Sequence, residues 1–136
     1  MPNRPPPLVL IAADDQAVCD ALQFALRLEG LSVRTHRDAA ALLQDEALVN
    51  ASCIIVDDRK PHVDGIELAI RLQVQTFRMP VILLSSNPSR RLRARAANAR
   101  IQVILEKPLL DNVLLDSIRA ILAPGAVGVG SRTRKT

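Results

Sequence analysis

Five short stretches, LVLIAA at 8–13, LSVRTH at 31–36, CIIV at 53–56, VILLSS at 81–86 and IQVIL at 101–105, alternate along the chain with segments of helical apolar spacing. LVLIAA, CIIV and VILLSS are continuous apolar runs, as strands covered on both faces must be, whereas LSVRTH alternates like a half-buried or edge strand. Strand followed by helix, five times over, requires a parallel sheet with helices packed on both sides.

The intervening segments carry their own punctuation. In 16–29 the apolar positions Ala17, Val18, Ala21, Leu22, Ala25, Leu26 and Leu28 share a helical face, and Gly30 supplies the stop. Asp38 is placed to cap a helix over 39–48, and further helices are expected over 65–74, 90–100 and 111–122. MPNRPPP reads as an extended arm (1–7), the folded domain spans 8–123, and APGAVGVGSRTRKT (124–136) reads as a flexible basic tail.

A length of 136 residues suits one domain with a real core. The only aromatics are Phe24 and Phe77, so that core is built from Leu, Ile, Val and Ala. Cys19 and Cys53 lie inside apolar patterns, which favours small buried hydrophobes in a reducing compartment over a disulfide or zinc site. No segment reads as a signal peptide or a membrane span, so a cytoplasmic protein without membrane association is expected.

The chemistry concentrates where the strands end. Asp14 and Asp15 follow the first run, Asp57 and Asp58 the third, Ser85 and Ser86 the fourth, and Lys107 with Pro108 the fifth. In an open parallel sheet these ends share one edge, the usual place for ligands. Clustered carboxylates repel unless a hard cation lies among them, and Mg²⁺ takes a few carboxylates with water and phosphate oxygens. A lysine and a hydroxyl beside them complete a pocket suited to a phosphoryl group.

These residues resemble, in order and spacing, the receiver domain of two-component response regulators. The resemblance rests on the acids after strand one, on D-x-x-x-P-x-x-D-G at 57–65, on PVILLS at 80–85, and on Lys107–Pro108. It covers roughly residues 8–123. It implies a flavodoxin-like α/β fold, doubly wound, with five parallel strands in the order 2-1-3-4-5. It implies that Asp57 accepts a phosphoryl group from a sensor histidine kinase or a phosphotransfer protein. Mg²⁺ would be held by Asp14, Asp15, Asp57 and the backbone carbonyl of Arg59. Ser85 and Lys107 would contact the phosphoryl group, and the Lys107–Pro108 peptide would be cis. Asp64 reads as a helix cap rather than a ligand.

The chain also departs from the family pattern. Gln16 takes the place of a helix-opening proline, which puts Ala13 where the family has its first acid and makes Asp14 the direct ligand. Asp58 stands where an apolar residue is usual, and Lys60 where Met is. Ile104 replaces the aromatic residue whose rotation reports phosphorylation, and Arg100 replaces a glycine, so that turn is expected to be remodelled.

Charge is unevenly spread: residues 1–87 hold 8 Lys or Arg against 11 Asp or Glu, and residues 88–136 hold 10 against 3. In the family the fourth helix, fifth strand and fifth helix form the partner surface. Arg91 and Arg95 would lie on it and suit an acidic protein partner or a second copy of the chain. Specific nucleic-acid binding is not expected, since no reading module follows. The sequence therefore reads as a phosphoacceptor that relays to a downstream protein, not as an enzyme acting on an external substrate. The alternative is an atypical receiver that binds its partner without phosphorylation.

Overall fold

The computed structural model describes residues 5–59, 62–75, 79–109 and 112–123. Its elements are β1 (Leu8–Ala12), α1 (Gln16–Leu28), β2 (Ser32–His36), α2 (Ala39–Leu43), a 3-10 turn (Glu46–Asn50), β3 (Cys53–Asp57), α3 (Gly65–Val74), β4 (Val81–Ser85), α4 (Arg90–Asn98), β5 (Val103–Glu106) and α5 (Val113–Leu122). The strands form one sheet in the order β2-β1-β3-β4-β5, and every neighbouring pair is parallel. The expected architecture is thus the observed one. Residues 1–4, Lys60, Pro61, Asp111 and the tail from 124 lie outside the described residues.

Alternation along each strand explains the unbroken apolar runs. Val9, Ile11, Cys53, Ile55, Ile82 and Leu84 point to one side and pack with Cys19, Leu22 and Leu26 of α1 and Leu114 and Ile118 of α5. Leu10, Ile54, Val56, Val81 and Leu83 point to the other, against α2, α3 and α4. Each central strand serves two cores at once, so none of its apolar positions is left for water. Strand β2 pairs only with β1 and is buried at Val33 alone, as its alternating sequence requires. Both cysteines are free and buried among these side chains. Burial pushes the Cys53 thiol up to about 12, out of the reactive range.

Three caps read from the sequence are in place. Asp38 accepts from the Ala41 N–H at 2.7 Å, and Asp64 accepts from the Glu67 N–H at 3.1 Å. Gly30, at φ 86°, takes the left-handed position that ends α1.

Two expectations are corrected. The single helix over 39–48 is two pieces, because Asp45 interrupts it. One Asp45 oxygen caps the 3-10 turn through the Ala47 N–H, and the other accepts from Arg34 Nε at 2.6 Å and meets His36 Nε2 at 2.8 Å. A carboxylate with that many partners holds the chain better than a continued helix would. Burial alone would raise its pKa, but the bonds from Arg34, the Ala47 N–H and His36 outweigh it and hold Asp45 at about 2.

The second correction concerns Arg100. The turn before β5 keeps the geometry that glycine favours, with Arg100 at φ 62°. The Arg100 N–H bonds the Ala97 carbonyl at 3.1 Å, and the Ile101 N–H bonds the Ala96 carbonyl at 3.0 Å. This is the pattern that closes α1, where the Gly30 and Leu31 N–H groups bond the Arg27 and Leu26 carbonyls. The turn is not remodelled; it is kept with a side chain in a seat that costs about 1 kcal/mol.

Arg100→Gly should therefore raise unfolding stability by about 0.5–1 kcal/mol, read as a higher urea midpoint with unchanged slope. The Asp45 cluster gives an acid signature. Its folded pKa lies below the unfolded 3.8, so its stabilisation is complete above that value and lost as pH falls toward 2. Asp45→Asn should be less stable at neutral pH and flatten the loss of stability across that window, in urea melts at stepped pH.

Candidate functional site

The carboxyl ends of β1, β3, β4 and β5 place the candidate residues together. Asp57 is the last residue of β3 and has no exposed surface. Ser85 is the last residue of β4 and is also buried. Lys107 follows β5, and its N–H bonds the Ser85 carbonyl at 2.8 Å, which fixes the lysine beside the β4 end. The Lys107–Pro108 peptide is cis, as the family resemblance implies.

The central contact joins Lys107 Nζ to Asp57 Oδ1 at 2.5 Å, between residues fifty positions apart. The ammonium offsets the cost of taking this carboxylate out of water. Its second oxygen, Oδ2, is enclosed and has no hydrogen-bond partner among the described residues, and the same holds for Asp14 Oδ1. Two enclosed carboxylate oxygens without donors, at one sheet edge, are what a hard cation would satisfy. No group of three or more His, Cys, Asp or Glu side chains is placed to hold a metal among the described residues. The two unpartnered oxygens, on Asp57 and Asp14, suit an ion that takes one or two carboxylates and fills its remaining positions with other oxygens, as Mg²⁺ does.

Asp15 is only partly available. It is the N-cap of α1, and its Oδ1 accepts from the Ala17 N–H at 2.9 Å. Gln16 is accordingly the first helical residue, where the family resemblance puts a proline. The Arg59 carbonyl already accepts from the Val63 N–H, while the Arg59 N–H bonds the Val63 carbonyl, both at 2.9 Å. This bridge ties Arg59 to Val63.

Asp58, the apparent twin of Asp57, has a structural task. Its Oδ1 accepts from the Gly65 N–H at 2.9 Å, so it holds the start of α3 against the end of β3. Gly65 is itself required there, since a Cβ would come within 2.2 Å of Leu83 Cδ1, a fully buried side chain. Sequence reading found Asp64 as a cap but not Asp58; a polar residue immediately after a buried strand and seven positions before a helix start was the available signal.

The remaining candidates lie away from this edge. Ile104 is half-buried in β5 and packs against the core on the side of α4. Arg91 and Arg95 are exposed on α4, and the side chain of neither has an ion pair or hydrogen bond among the described residues. Unanticipated from the sequence is the Arg59 guanidinium, which lies 3.6 Å from Asp14 Oδ1 and 3.7 Å from Asp15 Oδ2.

Comparison with known proteins agrees with this geometry. The family model for the response regulator receiver domain matches residues 9–119. The transcriptional regulatory protein FixJ of Azorhizobium caulinodans is 33% identical over 126 residues, covering 93% of this chain and 59% of FixJ. The C4-dicarboxylate transport transcriptional regulatory protein DctD of Pseudomonas aeruginosa is 34% identical over 125 residues, covering 92% of this chain and 27% of its own length. The solved signal receiver domain of an HD domain-containing protein from Pseudomonas fluorescens superposes with a TM-score of 0.81 at 27% identity, over 97% of each chain.

A parallel five-stranded sheet with acid, hydroxyl and amine at its carboxyl edge defines a receiver of two-component signalling. The chain belongs to the response regulator receiver family. It spans 59% or less of the curated relatives described here, FixJ and DctD. No described helix is long and apolar enough to cross a membrane.

The ion pair can be tested directly. Lys107→Met strands a buried carboxylate and should cost about 2–3 kcal/mol at neutral pH. Adding Asp57→Asn should restore most of it, because the charge that needed a partner is then gone; additive losses in urea melts would show the two side chains to be uncoupled.

Proposed function

We propose that Asp57 is the phosphoacceptor of a response regulator, receiving its phosphoryl group from a phosphohistidine on a sensor kinase or phosphotransfer protein. The observation that supports this most directly is the state of Asp57: wholly buried, held by Lys107 through one oxygen, and without a partner among the described residues at the other. A carboxylate oxygen of Asp57 attacks phosphorus, the bond from phosphorus to the imidazole nitrogen breaks, and its electron pair leaves with the imidazole.

The surrounding residues answer the charge problem this creates. A phosphoryl group brings anionic oxygens to a site that already holds Asp14, Asp15 and Asp57. Lys107 neutralises part of that charge and can follow it from the carboxylate to a phosphoryl oxygen. The Ser85 hydroxyl, at the neighbouring strand end, can donate to a second oxygen. Mg²⁺ would be held by Asp14, Asp57 and the Arg59 carbonyl with help from Asp15, and would supply charge neutralisation of the phosphoryl oxygens.

The surface of α4, β5 and α5 is the proposed relay, with Ile104 behind it and Arg91 and Arg95 on it. An acidic protein partner, or a second copy of the chain, is complementary to these arginines. A sensor kinase as phosphoryl donor is consistent with a cytoplasmic location.

Incubation of the full chain with acetyl phosphate and Mg²⁺ should add one phosphoryl mass by intact mass spectrometry. Chelation with EDTA and the variant Asp57→Ala should each abolish it. No added mass, under conditions that label a control receiver, would favour the phosphorylation-independent interaction module instead. Mass that survives Asp57→Ala would move the acceptor to another carboxylate.

A further inference from the structure

The side chain of Arg59 has no part in the scheme above, yet it lies within ion-pair range of both Asp14 and Asp15, two of the acids that the scheme assigns to Mg²⁺. Its Nε lies 3.6 Å from Asp14 Oδ1, and its Nη1 lies 3.7 Å from Asp15 Oδ2. Both distances are within ion-pair range and beyond hydrogen-bond range. The guanidinium therefore offsets the charge of the acidic pair without satisfying its lone pairs. Asp14 Oδ1 shows this, since it is enclosed and still lacks a donor.

The two halves of Arg59 are held very differently. Its backbone N–H and carbonyl both bond Val63 at 2.9 Å, so the main chain is fixed. Its side chain is 51% exposed and makes no hydrogen bond among the described residues, so it is free to swing into water. A guanidinium near Asp14 and a divalent cation on the same oxygen repel each other strongly in this partly buried place.

Resting on the metal reading above, we infer that the Arg59 guanidinium is a built-in counter-ion of the metal site. It competes with Mg²⁺ for Asp14 and Asp15 and must withdraw when the metal binds. The carbonyl of the same residue stays in place as a ligand while its side chain leaves. Arg59 is thus a positioning and affinity-setting residue: it raises the Mg²⁺ concentration at which the site fills, and it steadies the acidic pair before that happens.

Isothermal titration of the full chain with MgCl₂ tests this without any phosphotransfer. Arg59→Gln should bind Mg²⁺ roughly tenfold more tightly than wild type. In EDTA the same variant should melt at a lower temperature than wild type and gain more on adding Mg²⁺. Arg59→Lys keeps the charge and should stay close to wild type, which separates charge from side-chain size. If wild type binds Mg²⁺ and a folded Arg59→Gln binds it no more tightly, the competition is overturned while the metal site stands. If neither protein binds Mg²⁺, the metal reading fails and the competition fails with it.

Discussion

A carboxylate with no exposed surface sits at the centre of this sheet, and its ion pair with Lys107 is the contact on which the site depends. Removing Asp57 from water is tolerable only because an ammonium arrives from two strands away. That arrival depends on topology. Strand β4 lies between β3 and β5, so Lys107 crosses the end of β4 to reach Asp57, and the bond from its N–H to the Ser85 carbonyl fixes the crossing. Fold and chemistry are in this sense one constraint.

The same edge is built to be incomplete. Lys107 answers one oxygen of Asp57, Asp15 is half-committed to capping α1, and Arg59 approaches the acids without bonding them. A protein selected only for stability would pair these groups fully or replace them with apolar ones. Asp14 Oδ1 and Asp57 Oδ2 are instead left enclosed without a donor among the described residues.

Most of this was legible in the sequence because it depends on short-range rules. Continuous apolar runs mark strands between two cores, and Asp38 and Asp64 sit where helix caps must; the choice of one carboxylate of the adjacent pair rests instead on the resemblance to receivers, through the spacing from Asp57 to Gly65. What escaped depends on side chains meeting across the fold. Asp45 breaks a helix because Arg34 and His36, two apart on β2, both reach it, and nothing local announces that meeting. Asp58 looked anomalous until the Gly65 N–H was found against it. Arg100 argued against a left-handed turn by propensity alone, but the bonds from Arg100 and Ile101 to Ala97 and Ala96 outweigh the penalty.

The helices are unequally moored to the sheet. Helix α3 buries Ile66, Leu68, Ala69 and Leu72, whereas α4 buries only Ala96 along its length, with Ala99 just past its end. The leverage of apolar area that resists displacement is correspondingly small at α4. It is joined to β5 through the strained seat at Arg100, and it carries arginines that no acid among the described residues pairs with. Small disturbances at the strand ends therefore meet least resistance in one direction. The domain is mechanically graded, stiff around its buried carboxylate and more compliant at the arginine-bearing helix.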